Sequence, residues 1–199
     1  MIKPNDFDST MSYGEFTPLE LGGHICKIMS VEERTSSTGK PMIVISLDTA
    51  PQDKQPGYYA DQYRNDTRPE KKWGCNVYQM VYDNDGRTNR GFKTFVTSVE
   101  KSNPGFRVQW GDGFSACFKG RLIGGVFGRE EYEKQDGTTA WSTKCVSFRS
   151  VETIQSGVEV PKDRPLKRNA ASAPAYTPER ASTVNDYAII DDTAGDLPF

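Results

Sequence analysis

Aromatic rings set beside lysines and arginines recur along the middle of this chain. A ring face stacks on an unpaired base and a neighbouring cation meets the phosphate. Rows of that kind suit single-stranded nucleic acid without sequence preference. Lys71 and Lys72 precede Trp73, Tyr78 and Tyr82. In an alternating strand Tyr78, Met80 and Tyr82 share one face, leaving Cys75, Val77 and Val81 for a core. Arg121, Phe127 and Arg129 share a face further on, with Leu122 and Val126 on the opposite one. Trp141, Lys144 and Arg149 supply another set, and Arg34 and Lys40 flank a turn. Taken singly, each ring is better read as core or cross-strand packing. Taken together, 22 aromatic residues with charged neighbours are more than a small barrel can hide.

Catalytic chemistry has little to work with. Glu130, Glu131 and Glu133, or Asp83 and Asp85, could be imagined as the carboxylates of a metal-dependent nuclease. Charged strand ends and acidic turns are the commoner origin of such groups. There is no phosphate-binding glycine loop, no Ser-His-Asp set and a single histidine, His24. The four cysteines, Cys26, Cys75, Cys117 and Cys145, lie far apart without metal-ligand spacing, which points to free thiols in a reducing compartment. The expectation is a non-enzyme with neither cofactor nor metal.

The elements that must position these residues are mostly strands. Leu21–Val31 and Met42–Leu47 read as a hairpin across Thr35-Ser36-Ser37-Thr38-Gly39, and Trp73–Tyr82 as a third strand ended by Asp83-Asn84-Asp85-Gly86. Residues 51–72 read as a long polar connection. Phe92, Phe95, Val96 and Val99 then fall at helical spacing, with Thr88 or Asn89 to cap the start and Pro104-Gly105 to end it. Arg121–Tyr132 and Trp141–Ile154 read as two more strands joined across Asp136-Gly137. Five strands with a helix between the third and fourth is the order of an OB-fold barrel; other five-stranded α+β sheets give the same string. The predicted class is mainly β: a five-stranded OB-fold barrel over residues 1–160, followed by a disordered acidic tail.

Composition shifts near Val158. Residues 161–190 read as a flexible linker rich in Pro, Ala, Ser and Thr, and 191–199 as an acidic tip. The whole chain carries a net charge of −2; from Asn169 onward five acids oppose one base, net −4, leaving about +2 on the body. A mildly basic body with an acidic tail suits a nucleic-acid binder whose tail competes for its own groove. The tip sets Asp191, Asp192 and Asp196 ahead of Leu197, Pro198 and the terminal Phe199. Such a peptide cannot fold alone. It is either bait for a partner with an apolar pocket ringed by bases, or a frayed soluble end. No stretch approaches the length of a membrane span and no secretory signal opens the chain, so the expectation is a cytoplasmic protein without a membrane partner.

The tip closely resembles the end of bacterial and phage single-stranded DNA-binding (SSB) proteins, in which acidic residues precede a short apolar-Pro-Phe peptide. Here Ala194 and Gly195 thin the acidic run. A second resemblance covers most of residues 20–160, to SSB-like proteins of phages and mobile elements of Gram-positive bacteria. It is carried by Gly91-Phe-Lys-Thr-Phe95, Ser102-Asn-Pro-Gly-Phe106, Lys119-Gly-Arg-Leu122, Gly125-Val-Phe-Gly-Arg-Glu-Glu-Tyr132 and Ser142-Thr-Lys-Cys145. These resemblances imply an OB-fold coating single-stranded DNA during replication, recombination or repair in a host cytoplasm, with Asp191, Asp192 and Asp196–Phe199 recruiting replication and recombination proteins. They leave the oligomeric state open, a homo-oligomer included. The rivals are a recombination annealing protein and an interaction adaptor whose barrel binds protein rather than DNA.

Overall fold

The computed structural model describes residues 2–5, 7 and 17–166. The acidic tip and the linker from residue 167 lie outside the described residues, and so do Tyr13 and Phe16 of the lead-in segment.

The first hairpin is built on a phase change. In β1 (Gly22–Thr35) the inward residues Cys26 and Ile28 are followed by Val31 rather than Ser30. A bulge at Met29 in the pairing with β2 (Pro41–Thr49) makes that possible: Ile28 opposes Leu47 and Ser30 opposes Ser46. One unpaired residue shifts the alternation, so Val31 returns to the side of Ile28. The Ser36–Lys40 turn closes the hairpin with Ser36 N–H on Lys40 O at 2.8 Å, and Gly39 takes the positive φ of 78° that the turn requires.

β1 serves two partners. Residues 26–35 pair with β2, while 22–27 pair with β4 (Leu122–Glu133). With β3 (Asn76–Met80) and β5 (Thr139–Arg149) this gives a five-stranded antiparallel sheet in the order β3-β2-β1-β4-β5. The expected barrel is not closed. β3 and β5 are the two edges, and no ladder joins them among the described residues. Helix α2 touches β3, β4 and β5, so packed side chains link the two ends of the sheet where backbone pairing would close a barrel.

Helix α1 spans Tyr58–Asn65, and helix α2 spans Arg90–Ser102, where the period predicts a helix. Asn89 Oδ1 accepts from Gly91 N at 2.8 Å, capping the start, and the Asn103 amide donates to Val99 O and Leu122 O at 2.7 and 2.8 Å, fastening the end to β4. Its buried face drives Phe95 against Phe118 and Phe148, with ring centroids 5.0 and 5.3 Å apart.

Three further helices depart from the sequence reading. α1 lies in the polar connection, and its first N–H groups are satisfied from the end of β2: Asp48 Oδ1 accepts from Tyr59 N and Thr49 Oγ1 from Tyr58 N, both at 2.9 Å. α3 is one turn, Phe114–Cys117. α4 (Val151–Gln155) replaces the last part of the expected fifth strand, because Ser150 caps a helix there by accepting from Thr153 N at 3.3 Å. α4 and the chain after it cover the outer face of β1 and β4. A β-carbon on Gly23 would sit 2.6 Å from Val158, and one on Gly124 would strike Ile154, so glycine is what lets this layer approach. The packed chain continues as far as Arg164, which forms a parallel bridge with Glu130 of β4.

Candidate nucleic-acid interface

The open outer face of β1, β2 and β3 carries the first cluster of predicted residues. Register sets Arg34 opposite Met42 and Met42 opposite Met80, forming one row across three strands. The next row runs Glu32, Val44, Tyr78. Tyr78 is 54% exposed, and Tyr82, beyond the end of β3, continues the alternation and is exposed as well. Arg34 is held by Glu32 at 2.7 Å. Lys40, in the hairpin turn, donates to Asn84 Oδ1 at 2.7 Å and so ties that turn to the one after β3. Two phenol faces, two methionines and two cations therefore gather at one end of the sheet, a surface able to stack bases and meet phosphates.

The second cluster sits at the other end. Arg129 opposes Thr143 and Glu131 opposes Trp141, and the Arg129 guanidinium lies 5.8 Å from the exposed Trp141 ring. Both cations here already have carboxylates. Arg129 is bidentate on Asp163 at 3.0 and 2.6 Å, and Lys144 lies 3.4 Å from Glu130, which also receives Arg164 at 3.0 Å. The path along the ladder from Arg34 down β1 to Lys27, across to Leu122 and on to Arg129 is roughly 45 Å at about 3.3 Å per residue. The exposed predicted residues therefore fall at two ends of the sheet rather than in one row, and at the β4–β5 end Arg129 and Trp141 share a face while Lys144, opposite Gly128, lies on the other.

The remaining predicted residues have different settings. Phe127 is a correction: it is 0% exposed, packed between His24 and Tyr59 with centroids 5.3 and 6.3 Å away. It does share a face with Arg129, but that face is the interior, and only the charged end of the strand emerges from it. Arg121 lies over the Phe106 ring at 4.5 Å, and Arg149 donates to Phe148 O at 2.7 Å. Trp73 is half-buried, its indole N–H on Leu47 O at 2.7 Å. Its ring meets Tyr63 at 5.7 Å on the wall of a cavity of about 670 Å³ between α1 and the segment entering β3.

Tyr63, within the polar connection, and Trp110 are two further exposed rings that the sequence patterns do not select. Trp110 is 68% exposed and stacks on Phe114 at 5.4 Å with an interplanar angle of 21°. No periodicity marks its loop. The pairing with Phe114 exists only once α3 forms.

The titratable groups serve structure. Both ring nitrogens of buried His24 face acceptors, Asp53 Oδ1 at 2.8 Å and Glu20 O at 2.9 Å. Asp83 Oδ1 accepts from Asp85 N and Arg87 N at 3.0 and 2.8 Å, organising a turn. Burial pushes the thiols of Cys26 and Cys145 well up and that of Cys75 up to about 12, so these remain protonated. Hydrogen bonds from the Arg68 side chain and backbone hold Asp66 down to about 2. No group of metal-ligating side chains occurs among the described residues, and none of their helices is long and apolar enough to cross a membrane. No protein-family model matches the sequence, and no curated protein is similar to it.

Proposed function

We propose that this protein binds single-stranded DNA through the outer face of β1, β2 and β3, as an SSB-like protein of a phage or mobile element. The observation that carries the reading is the exposure of Tyr78 and Tyr82 on one face, beside Arg34 and Lys40. The sheet order supports an OB-type arrangement opened between β3 and β5. OB folds are partly open five-stranded barrels, and they use the face of strands 2 and 3 with the adjoining hairpin loops for oligonucleotides. In this reading stacking supplies base-independent affinity, and Arg34, Lys40 and the β4–β5 cations supply the salt-dependent part. Asp191, Asp192 and Asp196–Phe199 act as a peptide that recruits replication and recombination proteins.

Titration of the full chain with oligo-dT, followed by tryptophan fluorescence at two salt concentrations, tests the reading. Binding that weakens steeply with salt and far exceeds binding to duplex of equal length is expected. Equal affinity for duplex, or no binding, overturns it.

A further inference from the structure

The cavity beside Trp73 is lined by aromatic, amide and charged side chains. Tyr58, Asp61, Gln62 and Asn65 recur at i, i+3, i+4 and i+7, so one polar face of α1 lines it. The facing wall is Lys72, Trp73 and Gly74. The Trp73 ring is fixed by its bond to Leu47 O, and Tyr63 leans on it at a 43° angle. Gln62 lies close over Gly74, where a β-carbon would collide with its amide oxygen.

Its polar groups divide into those paired with another side chain and those exposed to solvent without a protein partner. Asp61 is paired with Arg64 and Asp66 with Arg68, each at 2.7 Å, so the two acids on the wall are neutralised. Lys71 lies over the Tyr63 ring at 4.6 Å. Among the described residues the amides of Gln62 and Asn65 and the ammonium of Lys72 have no partner. Each amide offers both donors and an acceptor, which meets the polar edge of any base, and Lys72 adds a positive charge for a phosphate.

We infer that this cavity takes one unstacked nucleotide of a bound single strand, its base against Tyr63 and Trp73 and its phosphate at Lys72. The inference rests on the single-stranded DNA reading above and extends it to a site distinct from the sheet face. A cavity of about 670 Å³ lies within the range of small-ligand sites, roughly 300–1,000 Å³. Trp73 stands three residues ahead of β3, so a strand crossing Tyr78 reaches the cavity by following β3 back toward its start. Amides that accept either edge fit a protein without base preference.

The test uses the full chain and oligo-dT carrying 5-iodouracil, with photocrosslinked peptides mapped by mass spectrometry, beside the variants Tyr63→Leu, Lys72→Gln and Tyr78→Ala. Tyr63→Leu keeps apolar bulk while removing the aromatic face, and with it the Lys71 contact, and melting curves verify that each variant is folded. Crosslinks at Tyr63 or Trp73, a loss of roughly tenfold in affinity for Tyr63→Leu, and a salt slope shallower by about 0.7 for Lys72→Gln are expected. Weakened binding by Tyr78→Ala alone, with Tyr63→Leu and Lys72→Gln binding as wild type and no crosslink in residues 55–74, overturns the cavity site and leaves the sheet-face reading standing. Failure of the wild-type chain to bind the oligonucleotide overturns both.

Discussion

His24 and Asp53 meet at 2.8 Å with side chains 0% and 3% exposed, and together they pin the start of β1 to the loop that leads into α1. Asp53 also accepts from the backbone of Ile25 at 2.6 Å and of Gln55 at 3.0 Å. Burial opposes its charge, but the bond from His24 and the backbone donors outweigh that and hold the carboxyl below its ordinary value. An acid depressed in this way stabilises the fold above its unfolded pKa of about 4, and the contribution fades as pH falls through the folded value. Asp53→Asn is expected to cost about 2–4 kcal/mol at pH 7 in urea unfolding, because it removes the charge and sets an amide NH2 against one of the two donors, His24 Nδ1–H or Ile25 N–H, that the carboxylate accepts from. The gap to wild type should narrow below pH 4. A gap of the same size at pH 7 and pH 3 would contradict the ionic account.

Asp48 is the cap that α1 does not carry in its own sequence, accepting from Thr49, Tyr59 and, at 3.4 Å, Ala60. Asp48→Ala should destabilise the protein by about 1–2 kcal/mol. Amide hydrogen exchange should quicken within Tyr58–Asn65 more than in β1 or β2. Uniform quickening across the sheet would show that Asp48 supports the fold in some other way.

Tyr78 projects from an edge strand and anchors no core contact, so its removal separates binding from folding. Tyr78→Ala should lower affinity for oligo-dT by about 1–2 kcal/mol, five- to thirtyfold, with the melting temperature unchanged within a degree or two. Unaltered affinity would remove the residue that anchors the proposed face.

Asp163 neutralises Arg129 on the surface. Asp163→Asn should leave stability within about 1 kcal/mol of wild type, as expected of an exposed pair. Freed for phosphate, Arg129 should raise affinity for single strands a few-fold and steepen the salt slope by about 0.7. Weaker binding in this variant would show that the pair orders the surface instead of masking it.

Gly23 lies under Val158 and Ile154. Gly23→Ala should cost about 1–3 kcal/mol through overpacking, measured by thermal unfolding. A neutral result would mean that the covering layer shifts without loss.

Much of the sheet was legible because its signals are local. The β-branched run 42–47, the turn at 35–39 and the helical spacing of Phe92, Phe95, Val96 and Val99 each state an element within a dozen residues. α1 was not legible, since its cap comes from Asp48, ten residues before the helix begins. Phe127 misled for a related reason. Alternation fixes which residues share a face, and only the far side of the fold decides whether that face is solvent. The split of the candidate site into two patches depends on β1 changing partner along its length, a tertiary fact that no spacing encodes.

The bridge at Arg164 bears on how copies of this chain behave toward one another. β4 runs past the first residue of β1, so its edge from residue 128 onward would present bare backbone groups to any other strand. Arg164 takes the Arg129 carbonyl and the Glu131 N–H, both at 2.9 Å, and occupies that edge. An uncovered edge is a template for edge-to-edge strand pairing between copies of the chain. The same few residues that hold Arg129 in check therefore also guard against aggregation, and shortening the chain before Pro161 frees Arg129 for phosphate while baring the β4 edge.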